Sequence, residues 1–177
     1  MRWLLCLPLL AACGSTGPKT RVEPFRADQV IRVVYNQYRG PGSILVVENL
    51  FGRDQIELRS RALPPGEPAA AYVPDDVMEE MLKEFENGDY YDYARPRPAK
   101  PQSLGASGEL TITDSNGRRL ALLRIKAPPN VTPTRDQIDA AKAYQYCTRT
   151  FYEVWRTFPP QMQATTSSDP FKSKASR

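Results

Sequence analysis

Three groups of side chains have the types and spacing to do chemistry: a cysteine at 147, a run of carboxylates, and tyrosines interleaved with arginines. Cys147 offers a thiol, but it shares a helical spacing with Ala140, Tyr144, Phe151 and Trp155. A cysteine on such a stripe packs as a small hydrophobe. The carboxylates Glu79, Glu80, Glu84, Glu86, Asp89 and Asp92 could bind calcium or act as an acid–base pair. They lack the alternating Asp/Asn pattern and fixed glycine of a calcium loop, and read as the solvated face of a helix. The stretch "DYYDYARPRP" places Tyr90, Tyr91, Tyr93, Arg95 and Arg97 together. Tyrosine and arginine are favoured at interfaces, so these five are candidate partner-binding residues. Aromatic packing beneath a helix accounts for the tyrosines equally well.

The chain has no histidine. The commonest general base and metal ligand is therefore missing, and Ser-His-Asp or Cys-His catalysis is excluded. No glycine-rich phosphate loop and no Gly-x-Ser-x-Gly elbow occurs. Neither a metal nor a cofactor is implied. The formal charge of +4 comes from the ends of the chain. Residues 22–160 carry 18 basic and 19 acidic side chains, so no basic surface for a nucleic acid is expected.

The opening "MRWLLCLPLLAACGS" has one basic residue, Arg2, then a mostly apolar run to Ala12. As a helix that run spans about 15 Å, half the hydrocarbon core of a bilayer. It has the form of an export signal. Its end, Leu10-Ala11-Ala12-Cys13, resembles the lipobox of bacterial lipoproteins. The resemblance implies cleavage between Ala12 and Cys13, diacylglycerol on the Cys13 thiol, and a mature protein anchored in a membrane by lipid alone. Two or more acyl chains give a stable anchor where one does not. Gly14 follows the cysteine instead of the aspartate linked to inner-membrane retention in that family. The expected location is thus the outer membrane, facing the periplasm, if the cell has two membranes. Asn130-Val131-Thr132 fits a glycosylation pattern that a bacterial cell is not expected to use.

The elements that must position any site follow from periodicity. Residues 1–12 are the expected signal, 13–26 a lipidated flexible tether, 27–160 the globular domain and 161–177 a disordered tail. The segment from Gln29 to Arg61 reads as a three-strand meander over "QVIRVVYNQY", "SILVVENLF" and "QIELRSR". "ALPPGEPAAA" reads as a loop. Met78, Met81, Leu82 and Phe85 mark a helix ending at Asn87-Gly88. An extended piece around Tyr90–Tyr93 and a proline-rich linker follow. "GELTITDSNGRRLALLRIK" reads as a hairpin turned at Asn116-Gly117. A long helix is expected from about Pro133 to Trp155, with Thr134 and Gln137 as an alternative cap. The expected fold is a single α+β domain, an antiparallel sheet of about five strands packed by two helices. The expected role is non-enzymatic, an envelope lipoprotein binding another protein or supporting an envelope assembly. The alternatives are a hydrolase using carboxylates or a Ser/Lys pair, and a small-ligand carrier.

Overall fold

The computed structural model describes residues 21–38, 43–54, 57–58 and 68–160. The expected signal with Ala12 and Cys13, the first part of the tether, and the tail at 161–177 lie outside the described residues. Six strands form one sheet: β1 (Val30–Gln37), β2 (Ser43–Asn49), β3 (Ala70–Val73), β4 (Arg95–Pro96), β5 (Ala106–Asp114) and β6 (Arg119–Ile125). Three helices accompany them: α1 (Asp75–Asn87), α2 (Tyr90–Tyr93) and α3 (Arg135–Thr157). The strand order is β3-β2-β1-β5-β6-β4, antiparallel throughout except for the β2–β3 pair.

The mixed α/β class with a mostly antiparallel sheet agrees with the sequence expectation; strand β4 forms within the expected proline-rich linker, and the details differ in three further places. Strand β3 is Ala70–Val73, of which Ala70 and Ala71 fall at the end of the expected loop, and it runs parallel to β2. The third meander strand was expected at "QIELRSR", but Glu57 and Leu58 there are helical. Leu58 is buried in a cluster with Val46, Leu50 and Tyr72. The expected extended piece at Tyr90–Tyr93 is the short helix α2, entered through Asp89 in the left-handed region (φ 60°).

The helices cover one face of the sheet. Val33, Tyr35, Val47, Leu110, Ile112, Leu120 and Leu122 from the strands meet Met78, Met81, Phe85, Cys147 and Phe151 in the main core. Alternation along each strand sends these side chains to one face and their neighbours to the other. Helix α1 buries the expected stripe of Met78, Met81, Leu82 and Phe85. Helix α3 begins with the Thr134–Gln137 capping box, in which each side chain accepts from the other residue's backbone N–H. It crosses α1 at Gly88, where a Cβ would lie 3.1 Å from Cys147 Sγ and collide with the Tyr146 ring. The hairpin turns at Gly117 with φ 81°, a conformation that favours glycine. Asp114 Oδ1 accepts from the backbone N–H groups of Asn116 and Arg118 at 2.9 and 2.8 Å and stiffens that turn.

The last residues of the expected tether belong to the domain. Phe25 is buried against Tyr91, with their rings 6.5 Å apart, and the Arg118 guanidinium lies 4.6 Å from the Phe25 centroid. The backbone N–H of Val22 donates to Tyr91 O at 2.9 Å.

Candidate functional site

The five candidate partner-binding residues separate in the fold. Tyr90 is fully buried, stacked on Phe85 with centroids 5.6 Å apart. Its hydroxyl lies 2.8 Å from Leu120 O and 3.2 Å from Leu110 O, tying α2 to the sheet. Tyr91 is buried, and its hydroxyl accepts from Phe25 N–H at 3.4 Å. Burial raises both phenols, Tyr91 to about 12. Neither ring retains surface for a partner, because residues 90–93 turn as a helix and point these two side chains inward. Tyr93 is half-buried against the core, and Arg95 is exposed, its Nη1 donating to Ala94 O and Asp92 O at 2.6 and 2.9 Å. Tyr91 borders a hollow with Phe25, Leu82 and Glu86, and Arg97 lines a second concave surface.

That surface is a groove of about 510 Å³ on the face of the sheet opposite the helices. Its geometry follows from strand register. Arg32, Thr113 and Arg119 stand opposite one another on β1, β5 and β6. Two residues along, Val34, Thr111 and Ala121 form the next row, and Asn36, Glu109 and Leu123 the third. The middle row holds short side chains, so it is the floor between taller rows. A bulge in β1 between Val30 and Arg32 brings both Ile31 and Arg32 into the lining. The other half of this face is closed by Leu50 and Leu58 packed on Val46, Ala70 and Tyr72.

One side of the groove is built on a buried ion pair. Glu109 is 2 % exposed, and Arg97 grips it with two parallel bonds, Nη2 to Oε1 at 2.8 Å and Nε to Oε2 at 3.0 Å. The pair spans from the end of β4 to β5 with β6 between them. The bond to Glu109 raises the Arg97 guanidinium above its ordinary value, which keeps it charged. The Tyr38 phenol is also raised, by burial first and then by Glu109. Thr111 Oγ1 is buried beside the pair without a hydrogen-bond partner, and the Tyr38 hydroxyl is buried against Glu109 and Arg97. Thr111 is 5 % exposed and lines the floor. Unsatisfied buried hydroxyls are uncommon and call for a reason.

Two further arginines stand in the first row. Arg32 pairs with Glu48 at 3.1 Å. Arg119 is exposed and makes no ion pair among the described residues. Among the described residues, no serine or threonine hydroxyl of the groove bonds to a carboxylate or an amine. The arrangement can bind by charge and hydrogen bonding.

The remaining chemical candidates fall elsewhere. Cys147 is fully buried, its Sγ 3.8 Å from Phe85 O and 3.7 Å from Gly88 O, and burial pushes the thiol up to about 12. Among the acidic run, Glu79, Glu80, Glu86 and Asp89 are exposed. Glu84 accepts from Tyr146 Oη at 2.6 Å, and Glu86 pairs with Arg21. Among the described residues, no cluster of three or more potential metal ligands exists, and no helix is long and apolar enough to cross a membrane. The groove residues Glu109, Thr111 and Thr113 were visible as the polar side of an alternating strand. Arg119 faces Thr113 across the expected hairpin, while the meeting with Arg32 depends on pairing with the distant β1.

No protein-family model, curated protein sequence or solved structure matches the chain.

Proposed function

We propose that this chain is a lipid-anchored envelope protein, held by Cys13, whose domain works by binding and not by catalysis. The groove over β1, β5 and β6 is its binding surface. The observation that carries this reading is the polar floor left unfinished there: a buried Thr111 hydroxyl with no partner, beside a buried Arg97–Glu109 pair. A sheet face needed only for stability is more simply closed by apolar packing, as the Leu50–Leu58 half of this face is. Buried polar groups of this kind converge where a ligand or partner completes the hydrogen bonds. The lipobox-like start supports the anchor, and the tether would keep the groove close to the membrane.

Two experiments test the two halves. Cys13→Ser should abolish incorporation of labelled palmitate and release the protein from the membrane fraction; a variant that still takes up label refutes the anchor. For the groove, a photo-crosslinking amino acid replaces Ile44, which is exposed at the groove's edge, or Leu104, which is exposed outside it. Irradiation in native membranes should give a discrete adduct at 44 and none at 104. Equal labelling at the two positions, or none at 44, refutes the groove as the binding surface.

A further inference from the structure

We infer that the chain's own C-terminal segment, Phe171 to Lys174, docks in a second groove, the seam between α1 and α3. This groove encloses about 420 Å³. Val77, Val154 and Phe158 line it half-buried over the buried Met81, and its open lining is mostly apolar. The place where the chain leaves the fold points to the tail as its occupant. Helix α3 ends at Thr157, Thr157 and Phe158 themselves line the groove, and residues 161–177 continue from there. From Thr150 to Phe158 the groove follows α3 for about 12 Å. A flexible chain from Phe158 to Phe171 has an end-to-end distance of about 20 Å, so Phe171 ranges over the whole groove. Such a link holds it there at an effective concentration on the order of millimolar, which a free partner must outbid.

Charge points the same way. Helix α1 carries Asp75, Asp76, Glu79, Glu80, Glu84 and Glu86 against Lys83 alone. Its one salt bridge among the described residues is that of Glu86 with Arg21. At the groove's rim, Glu153 is matched by Arg149. Glu80 has no ion pair among the described residues, and Glu84 accepts only from the neutral Tyr146 hydroxyl and Asn87 amide. The rim therefore keeps two carboxylates without a cation. The tail carries Lys172, Lys174 and Arg177 against Asp169, and its one aromatic residue, Phe171, directly precedes the lysines. Glu80 and Glu84 stand one helical turn apart, about 6 Å. An extended segment spaces Lys172 and Lys174 by about 7 Å, a near match. Phe171 then covers the apolar seam while the lysines answer the rim, and salt weakens the contact by screening those charges.

The test uses the full-length chain with Cys6→Ser and Cys13→Ser, so that no lipid is attached, and with a nitroxide on Ser173→Cys. Cys147 is fully buried and stays unlabelled. In a chain with ¹³C-labelled methyl groups, the nitroxide should weaken the Val77 and Val154 signals about twofold or more relative to its reduced form. Ile44, on the opposite face of the sheet, should keep its signal. Phe171→Ser and Glu80→Lys should each restore at least about half of the lost Val77 intensity, since each removes one arm of the contact. Glu80 is exposed, so its replacement leaves the fold intact. Undiminished Val77 and Val154 signals overturn the inference, as does a loss at Ile44 equal to that at Val77. A loss at Val77 that either variant leaves unchanged also overturns it, because it would reflect mere nearness of the tail. In a mixture of nitroxide-bearing chains and separate ¹³C-labelled chains no loss is expected; a loss there would seat the tail on a second copy and overturn the intramolecular contact.

Discussion

The Arg97–Glu109 pair should respond very differently to loss of one partner or the other. Glu109 is 3 % exposed at its side chain and Arg97 29 %. Opposite charges about 4 Å apart attract by about 4 kcal/mol at an effective dielectric of 20. Arg97→Met removes that attraction and leaves a carboxylate in a site almost closed to water. Breaking a buried pair in this way costs about 3–5 kcal/mol. Glu109→Leu removes the same attraction, but it also removes the group whose desolvation the pair had to offset, and Arg97 can extend into the open groove. Its cost should be about 1–2 kcal/mol, and the double variant should lie within about 1 kcal/mol of the parent. The ordering is therefore parent, double variant, Glu109→Leu, Arg97→Met. Urea unfolding at pH 7 measures each, and the Arg97→Met deficit corresponds to a fall of about 10 °C in Tm for a domain of this size. A Glu109→Leu variant as unstable as Arg97→Met would refute the reasoning, because it would mean that the arginine is as strongly sequestered as the carboxylate.

Three further outcomes follow from the same structure. With Cys6 and Cys13 changed to Ser, Cys147 should react with a bulky maleimide about a thousandfold more slowly in the native than in the urea-unfolded protein at pH 8, since burial pushes its thiol up to about 12; a rate ratio below ten would place Cys147 at the surface. Cys147 and Tyr91 both hold their protons more tightly when folded, each at about 12. Their contribution is complete below the unfolded values and is lost as pH climbs from about 9 towards 12, so Tm should fall across that window; a flat Tm between about pH 8 and 11 contradicts it. Phe25→Ala should cost about 3 kcal/mol by emptying the space between Tyr91 and Arg118, and a chain starting at residue 27 should be destabilised at least as much; chemical denaturation of the two variants decides this, and parental stability in either would return residues 22–26 to the tether.

What the sequence determined is what short-range chemistry controls. The α1 stripe from Met78 to Phe85, the Thr134–Gln137 cap, the turn at Gly117 and the burial of Cys147 were all legible, because a 3.6-residue period, a three-residue cap and a positive-φ glycine are local facts. Where propensity and topology compete, the tertiary structure decided. Ala70 and Ala71 read as the end of a loop, yet Ala70–Val73 becomes a buried parallel strand because β2 offers it an edge and Leu58 joins Ala70 and Tyr72 in one apolar cluster. Tyr90 and Tyr91 read equally well as partner-binding residues or as packing beneath a helix, and one helical turn after Asp89 drives both rings into the core. The groove was the least legible feature. Arg97 was singled out for its neighbours in sequence, while the residue that gives it meaning, Glu109, lies twelve positions away and across a strand. Arg32 reaches Thr113 only because β1 inserts between β2 and β5, whereas Arg119 faces Thr113 across the local β5–β6 hairpin. Strand pairing between distant segments is set by the packing of the whole sheet against α1 and α3, and no local periodicity encodes which polar side chains of one strand will face those of another.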